Sequence, residues 1–297
     1  MIISINILLI IKSLFHLNTL LRLSDKLPLT CSRKGTCCHG NQVMLNPWEL
    51  HRLAFEKQIS AREFRDLYCD WNGILLKFNG EKDHRGKSAC SQYIANFGCS
   101  LHDGRPLACR LFPIGRQIQN ETIHYIFQGQ TFPCLNGCPE VEDLPQVTVA
   151  DYLIGQQTEL FEHAQDAYLE LMQNLAEIAL MLLLDTGLDS TFDVYIRQEW
   201  QKVGVESPGL IAKRIDEKWL DYLILPAIQF DSKNPKSFIA AHELLLQEQA
   251  QFQIDKFTTK KEIAEFSIQM MSMALFVGKS IGADIDALSK MWSEVAE

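Results

Sequence analysis

The last 159 residues of this 297-residue chain contain no cysteine, and all nine cysteines lie between Cys31 and Cys138. An odd count speaks against a closed disulfide framework, which belongs mainly to small secreted domains. A basic balance is also missing. The net charge of −9 excludes a generally basic nucleic-acid binder, and no stripe of interleaved aromatic and arginine residues is present, so no nucleic acid is expected as a partner. No glycine-rich loop follows a predicted strand, which leaves no cradle for a nucleotide-like donor.

Long apolar runs are scarce. The N-terminal stretch is broken by Asn6 and ended by Lys12, whereas a spanning helix needs about 20 apolar residues. It has neither the positive charge before the run nor the small-residue cleavage site of a secretory signal. It is expected to be a first buried strand or helix, or extra residues upstream of the usual start. A weak signal anchor is the alternative. Ile178–Leu184 is closed by Glu177 and Asp185, so no other segment is expected to span, no membrane association is foreseen, and the cytoplasm is the expected location.

What is present divides the chain in two. Apolar residues make up 47% and charged residues 22%, enough for a real core and too ordered a mix for disorder. Residues 1–140 carry 16 Lys and Arg against 11 Asp and Glu, and residues 141–297 carry 12 against 26. The expected class is α+β: a small cysteine-rich domain over residues 24–145 with short strands and a hairpin, then an acidic all-α bundle over 146–297.

Local signals place the elements. Val43–Leu45 and Ile74–Phe78 read as short strands. Asn46-Pro47-Trp48-Glu49 and Ser60-Ala61-Arg62-Glu63 are capping boxes that open helices. Ile114, Arg116 and Ile118 alternate, Gln119-Asn120-Glu121 turns, and Ile123–Phe127 returns, a β-hairpin whose closure would bring Cys109 and Cys134 together. Thr148 caps a helix predicted to run to about Leu184. Further helices are predicted at 191–203, 209–225, 235–255 and 259–295, with no strands among them.

The cysteine spacing carries the chemistry. Cys31 and the adjacent Cys37-Cys38 are followed by Cys90, Cys99 and Cys109, then Cys134 and Cys138. Thiolates are soft ligands for zinc or iron–sulfur clusters, and four close either kind of site. These eight cysteines are the candidate ligands, enough for one site with spares or for two. Neighbouring side chains diverge, so one of Cys37 and Cys38 is expected to ligate while the other serves a second metal, a redox role or packing. Cys69, on a predicted helix, reads as a buried free thiol. Asp103-Gly104 signals a turn, and Pro106 starts a short helix whose first turn carries Cys109. Arg105 and Arg110 stand where a guanidinium would offset the negative charge of a thiolate site and donate to sulfur, or would brace the loop. His39 is a stronger ligand candidate than His102, though both read more simply as supporting residues.

Three segments together resemble the YkgJ-type cysteine-cluster family, whose domain is described as zinc- or iron-chelating: Cys31 with Cys37-Cys38, the Cys90–Cys99 spacing, and above all Arg105-Pro106-x-x-Cys109-Arg110-x-Phe112-Pro113. The resemblance covers roughly residues 28–140. The family opening is Cys-x-x-Cys-x-x-Cys-Cys, and here Lys34 stands at the second position, which removes one ligand from the first motif. The resemblance implies a bound iron–sulfur cluster or Zn2+. Through the similar cysteine region of flagellin lysine N-methylases it also implies a role assisting a modification reaction such as methyl transfer on a protein or small molecule. The alternatives are a non-catalytic structural-zinc module whose helical half binds a partner protein, and a carrier with exchangeable thiolates.

Overall fold

The computed structural model describes residues 19–29, 35–119, 122–127, 145–187 and 191–296. The class is α+β, with short strands and a hairpin ahead of a helical half. The chain packs as two compact units. One takes the described residues through Val43 together with Phe78–Glu159, and the other takes Met44–Lys77 with Leu160 onward.

In the first unit the predicted hairpin forms between Ile114–Gln119 and Thr122–Phe127, with Ile114 opposite Phe127 and Gln119 opposite Thr122. Thr19–Leu21 adds a third antiparallel strand, setting Leu20 against Ile126. Ile114 and Ile126 are both buried although the register sets them on opposite faces, so this end of the sheet is covered on both sides. Lys26–Leu27 pairs with Val147–Thr148, and Tyr93–Ile94 with Gly98–Cys99. Thr148 then caps a helix over Val149–Gln156, its side chain accepting from the Asp151 N–H. That helix stops sooner than its periodicity indicates. Gln157 adopts a left-handed conformation at φ 53°, and the next helix, Glu159–Thr186, starts afresh. No glycine marks the stop, so composition gives no warning of it.

The second unit opens with both predicted capping boxes formed, Asn46 with Glu49 ahead of Pro47–Lys57 and Ser60 with Glu63 ahead of Ala61–Tyr68. Cys69–Asp70 pairs with Leu75–Leu76, shorter than the predicted strand over 74–78, and Met44 bridges Leu75 in place of a strand over 43–45. The helices Thr191–Gly204, Pro208–Arg214, Glu217–Ile224, Pro235–Ile254, Lys260–Ser280 and Ile285–Val295 follow. Two predicted helices are split. Asp216 caps a new helix by accepting from Lys218 N–H, and Gly282 at φ 82° with Asp284 as the next cap breaks 259–295. The core centres on Lys260–Ser280, where Met270–Val277 are all buried, the pattern of a helix covered on every side.

Among the described residues, Glu159–Thr186 is long and apolar enough to cross a membrane by length and composition alone, with a mean hydropathy of 1.4 over its best window. Its polar and apolar contacts are those of a helix packed within this unit. Ser267 donates to the Ala179 carbonyl at 2.7 Å, Gln165 to the Ile281 carbonyl at 2.9 Å, and Tyr168 meets His242 at 3.2 Å.

Candidate metal centre

Five of the eight candidate cysteines are described, and all lie in the first unit: Cys37, Cys38, Cys90, Cys99 and Cys109, none of them in a disulfide. Cys31, Cys134 and Cys138 fall outside the described residues, as does the expected meeting of Cys109 with Cys134. Cys69 is buried and belongs to the second unit, paired through its strand with Leu76.

Backbone geometry gathers the five. A single 3-10 turn over Thr36–Cys38 follows Gly35, which sits at φ 84°, and the Cys38 N–H donates to the Gly35 carbonyl at 2.9 Å. A Cβ on Gly35 would come within 2.2 Å of the Tyr93 ring, so only glycine fits that turn beside that ring. Cys90 docks directly on it, its N–H donating to the Cys38 carbonyl at 2.7 Å. The hairpin that follows sets Cys99 opposite Tyr93. Cys109 rides on the short helix Leu107–Leu111 predicted after Pro106.

The thiols act on one another. Burial pushes the Cys109 thiol well above its ordinary range, and Cys90, Cys99 and Cys37 push it further while Arg105 opposes them. Burial is the largest cause holding Cys90 up to about 11, against a hydrogen bond from the Gln92 N–H at 3.5 Å to its sulfur. Cys37 and Cys38 differ from the divergence expected of neighbours. The tight turn lets their side chains hydrogen-bond, which lowers Cys37 and raises Cys38.

The two arginines have different tasks. Arg110 is 3% exposed and donates Nε to the Arg105 carbonyl at 2.8 Å, Nη1 to the Gln156 carbonyl at 2.6 Å and Nη2 to the Asp103 carbonyl at 2.5 Å. It braces the loop that presents Cys109. Arg105 donates to the His102 carbonyl at 2.9 Å and to the Gln156 side chain at 2.9 Å, and its charge bears on both Cys37 and Cys109. Sequence reasoning missed Gln156 and Tyr152, whose hydroxyl lies 3.0 Å from the Arg110 carbonyl. They sit on the helix after Thr148, and nothing in their spacing points back to Cys109.

Among the described residues, no three His, Cys, Asp or Glu side chains stand close enough to hold a metal ion together. The donor chemistry nonetheless fits a thiophilic cation. Converged thiols raise each other because each added thiolate repels the next, and a cation is what relieves that repulsion.

Residues 30–126 match the family model CxxCxxCC, described as a putative zinc- or iron-chelating domain. The match falls on the cysteine-rich segment, about a third of the chain, the same stretch whose motifs carry the resemblance. No curated protein and no solved structure matches the chain.

Proposed function

We propose that the cysteine-rich unit holds a zinc or iron centre on thiolates drawn from Cys37, Cys38, Cys90, Cys99 and Cys109, together with Cys31, Cys134 and Cys138. The observation that supports this reading is that Cys37, Cys90 and Cys99, from two other stretches of chain, each act electrostatically on the Cys109 thiol. The bound metal would supply fixed positive charge that offsets the thiolates and ties those stretches together. Arg105 supplies further positive charge beside Cys37 and Cys109, and Arg110 fixes the backbone that presents Cys109. Free thiols of this density suit a reducing compartment such as the cytoplasm.

Purification under nitrogen with elemental analysis tests the reading. Zinc or iron at a whole-number ratio to protein is the expected result. Visible absorption with acid-labile sulfide identifies an iron–sulfur cluster, and colourless zinc protein identifies a mononuclear thiolate site. Folded protein free of both metals overturns the proposal.

A further inference from the structure

The helix Val149–Gln156 lies beyond the segment that the family model matches, yet it belongs to the same unit as the candidate ligands and grips the loop that carries Cys109. Two side chains one turn apart do this. Tyr152 is buried, and its hydroxyl lies 3.0 Å from the Arg110 carbonyl and 2.5 Å from the Phe112 carbonyl, directly after Cys109 in the chain. Gln156 is the last residue of the helix, where a carbonyl has no partner within the helix itself. Arg110 Nη1 fills that place at 2.6 Å, a cation at the negative end of the helix.

The Gln156 side chain takes the second arginine. Arg105 Nη2 donates to Gln156 Oε1 at 2.9 Å, and Arg105 Nε donates to the His102 carbonyl at 2.9 Å. A guanidinium only donates, so the amide presents its oxygen. Arg105 is 8% exposed, and a guanidinium so enclosed ordinarily takes an anionic partner. Here both acceptors are neutral, and among the described residues no carboxylate pairs with it. Its charge is left uncancelled, and it bears on the Cys37 and Cys109 thiols. A glutamate at position 156 would offer the same hydrogen bond and cancel that charge.

We propose that Gln156 is a positioning residue of the metal centre, holding Arg105 beside Cys37 and Cys109 through a neutral acceptor so that its whole charge serves the metal-bound thiolates. The inference rests on the metal-binding reading above and adds to it a residue from outside the matched domain that sets the centre's affinity. Thiols release protons as they take a metal, so loading makes the centre more negative, and a cation beside it favours the loaded form. An acceptor that only braced the loop would behave differently. A carboxylate in its place would strengthen the brace and leave metal binding no weaker.

The test measures Co2+ affinity, through the absorption of its thiolate complexes, and the urea stability of the metal-free protein, both on the full chain under nitrogen at neutral pH. Gln156→Glu should be at least as stable as wild type without metal and should bind Co2+ about tenfold more weakly. Gln157→Glu puts the same charge on the next residue, which is exposed, and should change Kd by less than about twofold. Gln156→Ala releases the guanidinium and should lower both stability and affinity. Unchanged or tighter Co2+ binding in Gln156→Glu overturns the proposal. An equal loss in Gln157→Glu does so as well, since the effect would then be one of net charge alone. A metal-free Gln156→Glu protein less stable than wild type also overturns it, because the new carboxylate would then not be meeting Arg105. Wild-type protein that binds no Co2+ instead removes the metal-binding reading, and this inference with it.

Discussion

At the scale of single residues, the loop before Cys109 depends on one guanidinium that satisfies three backbone carbonyls from Asp103, Arg105 and Gln156. A buried acceptor stripped of its donor costs about 1–3 kcal/mol. Arg110→Ala should therefore lower stability by about 3 kcal/mol, since the freed carbonyls recover only part of their hydration. Urea denaturation measures it, and Arg110→Lys should recover only a part because a single ammonium cannot span the three acceptors. Cysteine substitutions separate the two units. Cys109→Ser should reduce metal content and weaken the first unit, whereas Cys69→Ser, in the strand beside Leu76, should leave metal content unchanged. Elemental analysis of both variants decides between them, and a lost equivalent in Cys69→Ser would place that thiol among the ligands.

At the scale of elements, close packing sets limits that composition hides. Gly204 ends the helix Thr191–Gly204 where it crosses Ile285–Val295, and a Cβ there would stand 1.9 Å from Ser289 Oγ and 3.0 Å from the Ile285 carbonyl. Gly204→Ala should lower the melting temperature through about 1–3 kcal/mol of overpacking, despite the gain in helix propensity. Thermal unfolding followed by circular dichroism reads the sign. The caps were legible in the sequence because their signals are local: Asn46 with Glu49, Ser60 with Glu63, and Thr148 all form as their side chains dictate. The hairpin Ile114–Phe127 was legible by alternation. Helix breaks at Gln157 and Asp216 were not, because a left-handed glutamine and an exposed aspartate look like ordinary helix surface. The break at Gly282-Ala283-Asp284 carried a signal, a C-terminal glycine followed by an N-terminal cap, that helical periodicity outweighed. The candidate ligands were legible as residue types. The docking of Cys90 on the Cys38 carbonyl was not, since it joins a turn to a segment some fifty residues further along the chain.

At the scale of the whole molecule, the second unit hides a neutral histidine pair. His242 is fully buried, held between the Tyr168 hydroxyl at 3.2 Å and the Tyr222 carbonyl at 3.0 Å, and burial depresses it to about 3, with His51 adding to the effect. His51, itself lowered by burial, packs against Phe230 and Phe238. An unfolded histidine takes up its proton near pH 6.5. Between that value and about 3 the unfolded chain holds the extra proton, so stability falls as the pH falls, by about 1.4 kcal/mol per unit for His242. Urea midpoints at pH 7 and pH 5 should differ accordingly, and His242→Gln should flatten the slope.

The same unit is assembled from two stretches of chain that are not consecutive, Met44–Lys77 and the residues from Leu160 onward. Trp48 is wholly enclosed there, with its ring edge-on to Phe161 and its indole N–H on the Asp231 carbonyl, while Arg62 and Arg65 grip Asp221. The helices after residue 160 thus complete their interior with a tryptophan supplied more than a hundred positions upstream. A shortened polypeptide beginning at residue 160 would leave Phe161, Phe230 and Phe238 facing water, and would be prone to clump rather than remain dispersed.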